Sequence, residues 1–328
     1  MRILVIGGTR FVGRHIAAAA LARGHDVTLL HRTPTELFPD AEHVLVDRDG
    51  DLGVLDGREW DATIDVSAYL PRQVRHLADA LDGRGGRYLV ISSTSVYAEP
   101  AGPGFDESSP TVPAAAADVE QITDQTYGPL KVAVEQTARE IFGELATVVR
   151  PTYVIGPYDY TRRFSSWVER MAAGGEVLGP GNPDDPIQVI DARDLGSFVV
   201  ELVEDGTPGT FHAVSPDPVY TFGQMLADIA AVVGPSGTTV TWVDQQWLLD
   251  QGESDAGIPL WGGGDPWILA NAADPAAARA AGLSARSIRQ SVVEIAEHLR
   301  RHPPGTPAPG LSPERETELL AAWHAARG

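Results

Sequence analysis

Cysteine is absent from all 328 residues, and with it go a disulfide framework, a thiolate nucleophile and any zinc–sulfur site. Basic charge is short as well. The 25 Lys and Arg face 45 Asp and Glu, and the net charge of −20 repels nucleic acid and anionic membrane. Long apolar runs are missing: the first, Ile3 to Ile6, stops at Gly7, too short for a secretory signal, and none approaches the length that spans a bilayer. These absences predict a cytoplasmic protein acting on a small molecule, without nucleic-acid or membrane partners. Lysine is the scarcest charge, for Lys131 stands alone among the 25 basic residues. Arginine does not replace lysine where a compact ammonium of tunable pKa is needed, so Lys131 is a candidate for chemistry. The alternative is a surface lysine that escaped replacement.

What is present reads as an α/β chain. Apolar residues make up 43%, enough for a sizeable core. Short apolar runs alternate with helical patterns, which predicts a doubly wound parallel sheet. Strands are expected at Ile3–Ile6, Val27–Leu30, Val44–Asp47, Ala62–Val66, Tyr88–Ser92, Thr147–Arg150 and Thr210–Val214. Helices are expected at Gly13–Arg23, Pro71–Leu81, Tyr127–Phe142, Asp194–Val203 and Phe222–Val233. Gly174–Pro186 and Asp250–Pro266 read as loops, the second long enough for a lid. His302–Leu311 reads as a linker, followed by a helix capped by Ser312, with Pro313 at its first position and Leu319, Leu320 and Trp323 to dock it.

Gly7-Gly8-Thr9-Arg10-Phe11-Val12-Gly13 joins the first strand to the first helix. Glycines there let backbone approach a pyrophosphate, and the helix start offers N–H groups and partial positive charge. Gly7, Thr9, Arg10, Phe11, Val12 and Gly13 are therefore candidate nucleotide contacts, although the strict G-x-G-x-x-G spacing is not met. An acid after the second strand would hold a ribose 2′-hydroxyl, but the chain reads Leu30-His31-Arg32. His31 and Arg32, with Arg10, suit a 2′-phosphate instead, which predicts NADP(H) over NAD(H).

Tyr127 and Lys131 lie four apart, one turn of a helix, so they share a face. A nearby ammonium favours phenolate, and Tyr127 is expected to have its pKa lowered and to act as general acid or base. Ser92, Ser93, Thr94 and Ser95 end the fifth strand, where open α/β sheets place ligands.

Four landmarks occur in order: the Gly7–Gly13 loop, Ser93 to Tyr97, Tyr127 with Lys131, and Arg150-Pro151-Thr152-Tyr153-Val154-Ile155-Gly156-Pro157. With them the chain resembles an extended short-chain dehydrogenase/reductase, the group of NAD-dependent epimerases and dehydratases. The Gly-Gly-Thr-Arg-Phe start further resembles a bacterial reductase branch related to chloroplast stem-loop RNA-binding proteins. The resemblance implies a Rossmann-type fold with residues 1–157, and 187–215, holding NAD(P). It implies a smaller substrate-binding lobe from 158–186 and 216–301, then 302–328 as linker and docking helix. It implies a catalytic Ser93, Tyr127 and Lys131, with Ser93 orienting the substrate oxygen, Tyr127 moving the proton, and Lys131 lowering its pKa and binding nicotinamide ribose. Asp47 and Arg48 would lie near the adenine and Ser67 and Ala68 along the cofactor, with Ser92, Pro151, Tyr153 and Val154 as further contacts. A homodimer through two helices of the first domain is also implied.

Two departures narrow the activity. Thr94-Ser95 replace the Asp-Glu pair with which sugar-nucleotide dehydratases of the family eliminate water, and the acid after the second strand is missing. Both favour a reductase that consumes NADPH to reduce a ketone or aldehyde of a polar metabolite. An epimerase with tightly bound NAD is the alternative, and a non-catalytic nucleotide-sensing or RNA-binding protein is the alternative of another class. Thr94, Ser95, Tyr153, Phe164, Trp167, Gln188, Arg193 and Trp261 are the candidate substrate contacts. Arg162, Arg163 and Arg193 are candidates to clamp a phosphate, against the commoner fate of solvated loop arginines. His298 and His302 read as a helix face rather than metal ligands, and no metal is expected.

Overall fold

A computed structural model describes residues 1–98, 104–214, 220–254, 257–264 and 270–327. The strands are β1 (Arg2–Ile6), β2 (Asp26–His31), β3 (Glu42–Leu45), β4 (Ala62–Asp65), β5 (Arg87–Ile91), β6 (Ala146–Pro151), β7 (Tyr153–Ile155), β8 (Glu176–Pro180), β9 (Val189–Asp191), β10 (Gly209–Ala213) and β11 (Thr239–Val243). Seven of them form one parallel sheet in the order β3-β2-β1-β4-β5-β6-β10. The order reverses between β1 and β4, which opens a crevice at the strand C-termini. The expected doubly wound sheet is what the structure has.

Both faces of that sheet are covered, which is why its strands are continuously apolar. Ile3 and Val5 of β1 point to one side and join Ile16 and Ala20 of α1 (Phe11–Ala22) and Leu195 and Val199 of the helix Ala192–Asp205. Leu4 and Ile6 point to the other and join Val74 and Leu77 of α2 (Pro71–Leu81) and Val134 and Ala138 of α3 (Asp124–Phe142).

A second core lies beyond the sheet. It gathers Phe164, Trp167, Val168 and Met171 of α4 (Arg163–Ala173), Val177 and Leu178 of β8, and Phe222, Met225 and Leu226 of the helix Phe222–Val233. Val292 and Ile295 of the helix Ile288–Arg301 join it, as do Leu319 and Leu320 of the terminal helix Pro313–Arg327. The Ser312 hydroxyl caps that last helix by accepting the Arg315 N–H at 3.2 Å, as expected.

The segment Gly174–Pro186, expected to be a loop, contains β8, which pairs in parallel with β11. Gly179 is there for packing. A Cβ on Gly179 would stand 2.7 Å from Val240 Cγ1 and 2.9 Å from the Trp242 ring, so only glycine lets the indole lie on the strand. The expected loop Asp250–Pro266 holds turns where it is described, and Trp267 falls outside the described residues.

Candidate functional site

A cleft of about 1170 Å³ follows the C-terminal ends of β1 to β6. At one end is the glycine loop. Thr9, Arg10, Phe11 and Val12 line it, and the start of α1 has no side-chain cap, leaving its first N–H groups to the cleft. Gly13 supports the loop from behind: a Cβ there would sit 2.1 Å from the Gly7 carbonyl oxygen. That close approach is the cradle a bulkier residue would fill, so these residues fit a dinucleotide's pyrophosphate.

His31, Arg32 and Thr33 line the cleft beyond β2. His31 is buried and both ring nitrogens are engaged, Nδ1 with the Thr33 carbonyl at 2.9 Å and Nε2 with His43 Nδ1 at 2.8 Å. Arg32 is exposed and makes no ion pair among the described residues. Asp47 and Arg48 line the same region, but Arg48 is occupied. Its guanidinium grips the fully buried Asp65 through two bonds of 2.7 and 2.8 Å and reaches Ser67 Oγ at 3.2 Å. It therefore shapes the wall rather than offering a free charge. Ser67 lines the cleft; Ala68 is buried behind it and gives its carbonyl to Lys131.

Ser93, Tyr127 and Lys131 come together where β5 ends. The helix carrying the pair packs closely because of Gly128, whose Cβ would stand 2.3 Å from the Ser95 carbonyl oxygen. Lys131 is 2% exposed and donates to the carbonyls of Ala68 at 2.8 Å and Ile91 at 3.0 Å. Its Nζ lies 4.6 Å from the Tyr69 ring centroid and 5.9 Å from that of Tyr127. Burial pulls its pKa down to about 8. Tyr127 differs from the expectation: burial pushes its hydroxyl up to about 12, while a hydrogen bond with Ser93 and the charge of Arg163 pull the other way. The phenol is thus a proton-loaded group at neutral pH. Ser92 lines the cleft and donates to buried Glu135 at 2.5 Å, and Glu135 in turn holds Arg150 at 2.6 and 2.9 Å.

Thr94, Ser95, Pro151, Tyr153 and Val154 also line the cleft. The other candidate substrate contacts are placed elsewhere. Phe164, Trp167 and Trp261 are 1%, 6% and 1% exposed inside the second core, with the Trp167 indole N–H donating to the Pro259 carbonyl. Gln188 is buried in bonds with the backbone of Ala273. Arg193 grips Asp191, and Arg162 pairs with Glu169. Of the three arginines considered for an anion, Arg163 is the one on the cleft wall; it stacks on the Tyr153 ring at 4.8 Å. Tyr69, Ile122, Thr152, Tyr160, Thr161 and Asn271 line the cleft unforeseen. Tyr160 and Thr161 follow the Gly156-Pro157 turn closely enough that the turn itself was a signal; Asn271 had none.

The NAD dependent epimerase/dehydratase family model matches residues 3–78 and 61–213, more than half of the chain. Among curated proteins, the 3-diazoavenalumate denitrifying reductase of a Streptomyces species is 28% identical over 259 residues, 71% of this chain and 82% of that one. The chloroplast stem-loop binding protein of 41 kDa b from Arabidopsis thaliana is 23% identical over 62% of this chain, and the match spans 55% of the plant protein's length. Among solved structures, UDP-N-acetylglucosamine 4-epimerase from Bacillus cereus superposes with a TM-score of 0.67 at 17% identity, over 92% of this chain and 99% of that one, a likeness of fold.

Proposed function

Because the chain belongs to the NAD dependent epimerase/dehydratase family, we propose that it is an NADPH-consuming reductase of a ketone or aldehyde, with Tyr127 as proton donor. The observation that carries the reading is the convergence of Ser93, Tyr127 and Lys131 in the cleft that leads to Arg32, with the Tyr127 proton held by burial. The glycine loop, His31, Arg32 and the β3 end hold the dinucleotide. Bound cofactor supplies a hydride for the carbonyl carbon. Tyr127 passes its proton to the carbonyl oxygen, and Ser93, whose hydroxyl acts on Tyr127 and donates to Ser95 Oγ at 3.0 Å, orients that oxygen. The Lys131 ammonium offsets the phenolate charge left behind. Residues 1–157 with 187–215 serve the cofactor; 158–186 and 216–301 serve the substrate. The charge of −20 supports work away from nucleic acid and membrane, in the cytoplasm. A homodimer remains part of the reading.

NADPH is favoured over NADH because no acid closes the β2 end and because Arg10 and Arg32 carry no carboxylate partner there. Fluorescence titration with both cofactors tests this. Arg32→Asp should shift the NADPH/NADH affinity ratio toward NADH by about tenfold or more, the scale of a lost guanidinium–phosphate pair. An unshifted ratio rejects the assignment of Arg32, and tightly held NAD in the isolated protein rejects the reductase in favour of an epimerase.

A further inference from the structure

Four arginines line the cleft, and their partners divide them. Arg48 is spent on Asp65. Arg10, Arg32 and Arg163 have no carboxylate partner among the described residues. In a chain with 45 acids to 25 bases, a guanidinium without a carboxylate is out of keeping with its surroundings. Arg10 and Arg32 flank the glycine loop and the β2 end, where the nucleotide's phosphates belong. Arg163 stands at the other end, beside the reacting groups: its charge reaches the Tyr127 hydroxyl, and its side chain lies over Tyr153. Asp159, on which the Arg163 charge acts without a direct ion pair, has one carboxylate oxygen committed to the Thr161 N–H at 2.9 Å and hydroxyl at 2.7 Å.

The wall around Arg163 is apolar and aromatic. Tyr160 is 62% exposed and Ile122 49% exposed, both on the cleft, and Tyr69 faces Tyr127 with ring centroids 6.5 Å apart. Exposed apolar groups gathered at a cleft mark a surface that an apolar ligand covers. A guanidinium whose carbon lies over a ring, as Arg163 does over Tyr153 at 4.8 Å, can still offer N–H groups for a two-pronged bond to a planar anion.

We propose that the substrate of this site is a monoanionic carbonyl compound, a carboxylate on a flat apolar body, with Arg163 docking the carboxylate and Tyr69, Tyr160 and Ile122 covering the body. The proposal rests on the reductase reading and sharpens its substrate class. Arg163 acts on the Tyr127 hydroxyl, and its guanidinium matches one carboxylate; Arg10, reaching from the glycine loop to lie 4.5 Å over the Tyr160 ring, borders the same wall.

The test uses the full chain, first titrated with NADPH and then saturated with NADP⁺. The probes are 3-phenylpropanoate, its neutral amide 3-phenylpropanamide, and phenyl phosphate, followed by calorimetry. The acid should bind about tenfold or more tighter than the amide, as expected when a charged hydrogen-bond pair replaces a neutral one. Arg163→Gln should erase that preference and Arg163→Lys keep part of it, with NADPH affinity and thermal midpoint unchanged in both. Equal binding of acid and amide, no binding of the acid at millimolar concentration, a preference surviving Arg163→Gln, or stronger binding of phenyl phosphate each overturns the proposal. A drop in NADPH affinity in Arg163→Gln also overturns it, by assigning Arg163 to the cofactor. Failure of the wild type to bind either cofactor is a different result, and it rejects the reductase reading itself.

Discussion

The two cores of this protein are assembled by different rules. Around the seven-stranded sheet, burial follows from alternating positions: Ile3 and Val5 go to the layer closed by α1 and the helix Ala192–Asp205, Leu4 and Ile6 to the layer closed by α2 and α3. The second core draws Trp167, Leu178, Phe222, Trp261, Val292 and Leu319 from six separated segments. Its fits are made at single glycines and prolines rather than by a repeating pattern. The consequence reaches the cleft. The wall made by strand ends is fixed by the sheet, whereas Tyr160 and Thr161 come from a loop in which Tyr158 and Arg162 both adopt positive φ, 69° and 55°, and Arg163 is the first residue of α4 that follows it. That loop is held by side chains: Arg14 lies 3.5 Å over the Tyr158 ring, and His298 accepts the Tyr158 N–H at 3.3 Å. The sheet thus fixes one wall of the cleft, and side chains from both cores hold the other.

The sharpest way to break that division is at the reacting groups. Tyr127→Phe should lower kcat by about 10²–10⁴-fold, the usual worth of a positioned general acid, while NADPH affinity stays within a factor of about three. Steady-state kinetics beside a cofactor titration decide it, and near-wild-type turnover refutes the proton-donor role. The pH profile gives a second reading of the same centre. Tyr127, held up at about 12, stays protonated through neutral and mildly alkaline pH, whereas Lys131, pulled down to about 8, loses its charge there. If the ammonium is needed to offset phenolate, kcat falls as pH rises through about 8; a flat profile to pH 10 would remove Lys131 from that role.

The division also explains what could be read from the residues alone. A two-sided sheet announces itself as apolar runs, and the Gly7–Gly13 loop, Ser93, Tyr127 and Lys131 sit at its strand ends, so their meeting along the cleft was legible. The charge states were not, because desolvation depends on depth: Tyr127 went up rather than down. Arg48 and Arg193 looked available until Asp65 and Asp191 were seen beside them. Phe164, Trp167 and Trp261 read as cleft residues from their places after β6 and in a glycine-rich loop, and the second core takes them because its members come from separated segments that no local pattern joins. Gly179 and Pro180 carry the letters of a loop and lie in a strand; what Gly179 supplies is room for Trp242 and not a turn.

Gly179→Val probes that fit directly. A side chain placed 2.9 Å from the Trp242 ring and 2.7 Å from Val240 forces the β8–β11 pair apart, and overpacking of this kind costs about 1–3 kcal/mol. Chemical denaturation should show the loss, with NADPH affinity unchanged, because no residue of that pair touches the cleft. A parallel loss of cofactor affinity would mean that the two cores are mechanically one.

The smallest expected effect is the most discriminating. Ser312→Ala removes the acceptor for the Arg315 N–H and should cost about 1 kcal/mol, typical for a helix N-cap. The helix it starts is anchored on the second core by Leu319 and Leu320, and by Glu316, which accepts the Leu178 N–H at 2.8 Å and pairs with Arg170 on α4. Loosening that helix therefore loosens the far end of α4, whose first residue is Arg163. The stability loss should come with a weaker grip on the carboxylate probe and an unaltered grip on NADPH. Calorimetry with both ligands on one preparation separates the two. A change in NADPH binding equal to that for the acid would place the terminal helix in support of the sheet as well, and would dissolve the distinction between the sheet core and the second core.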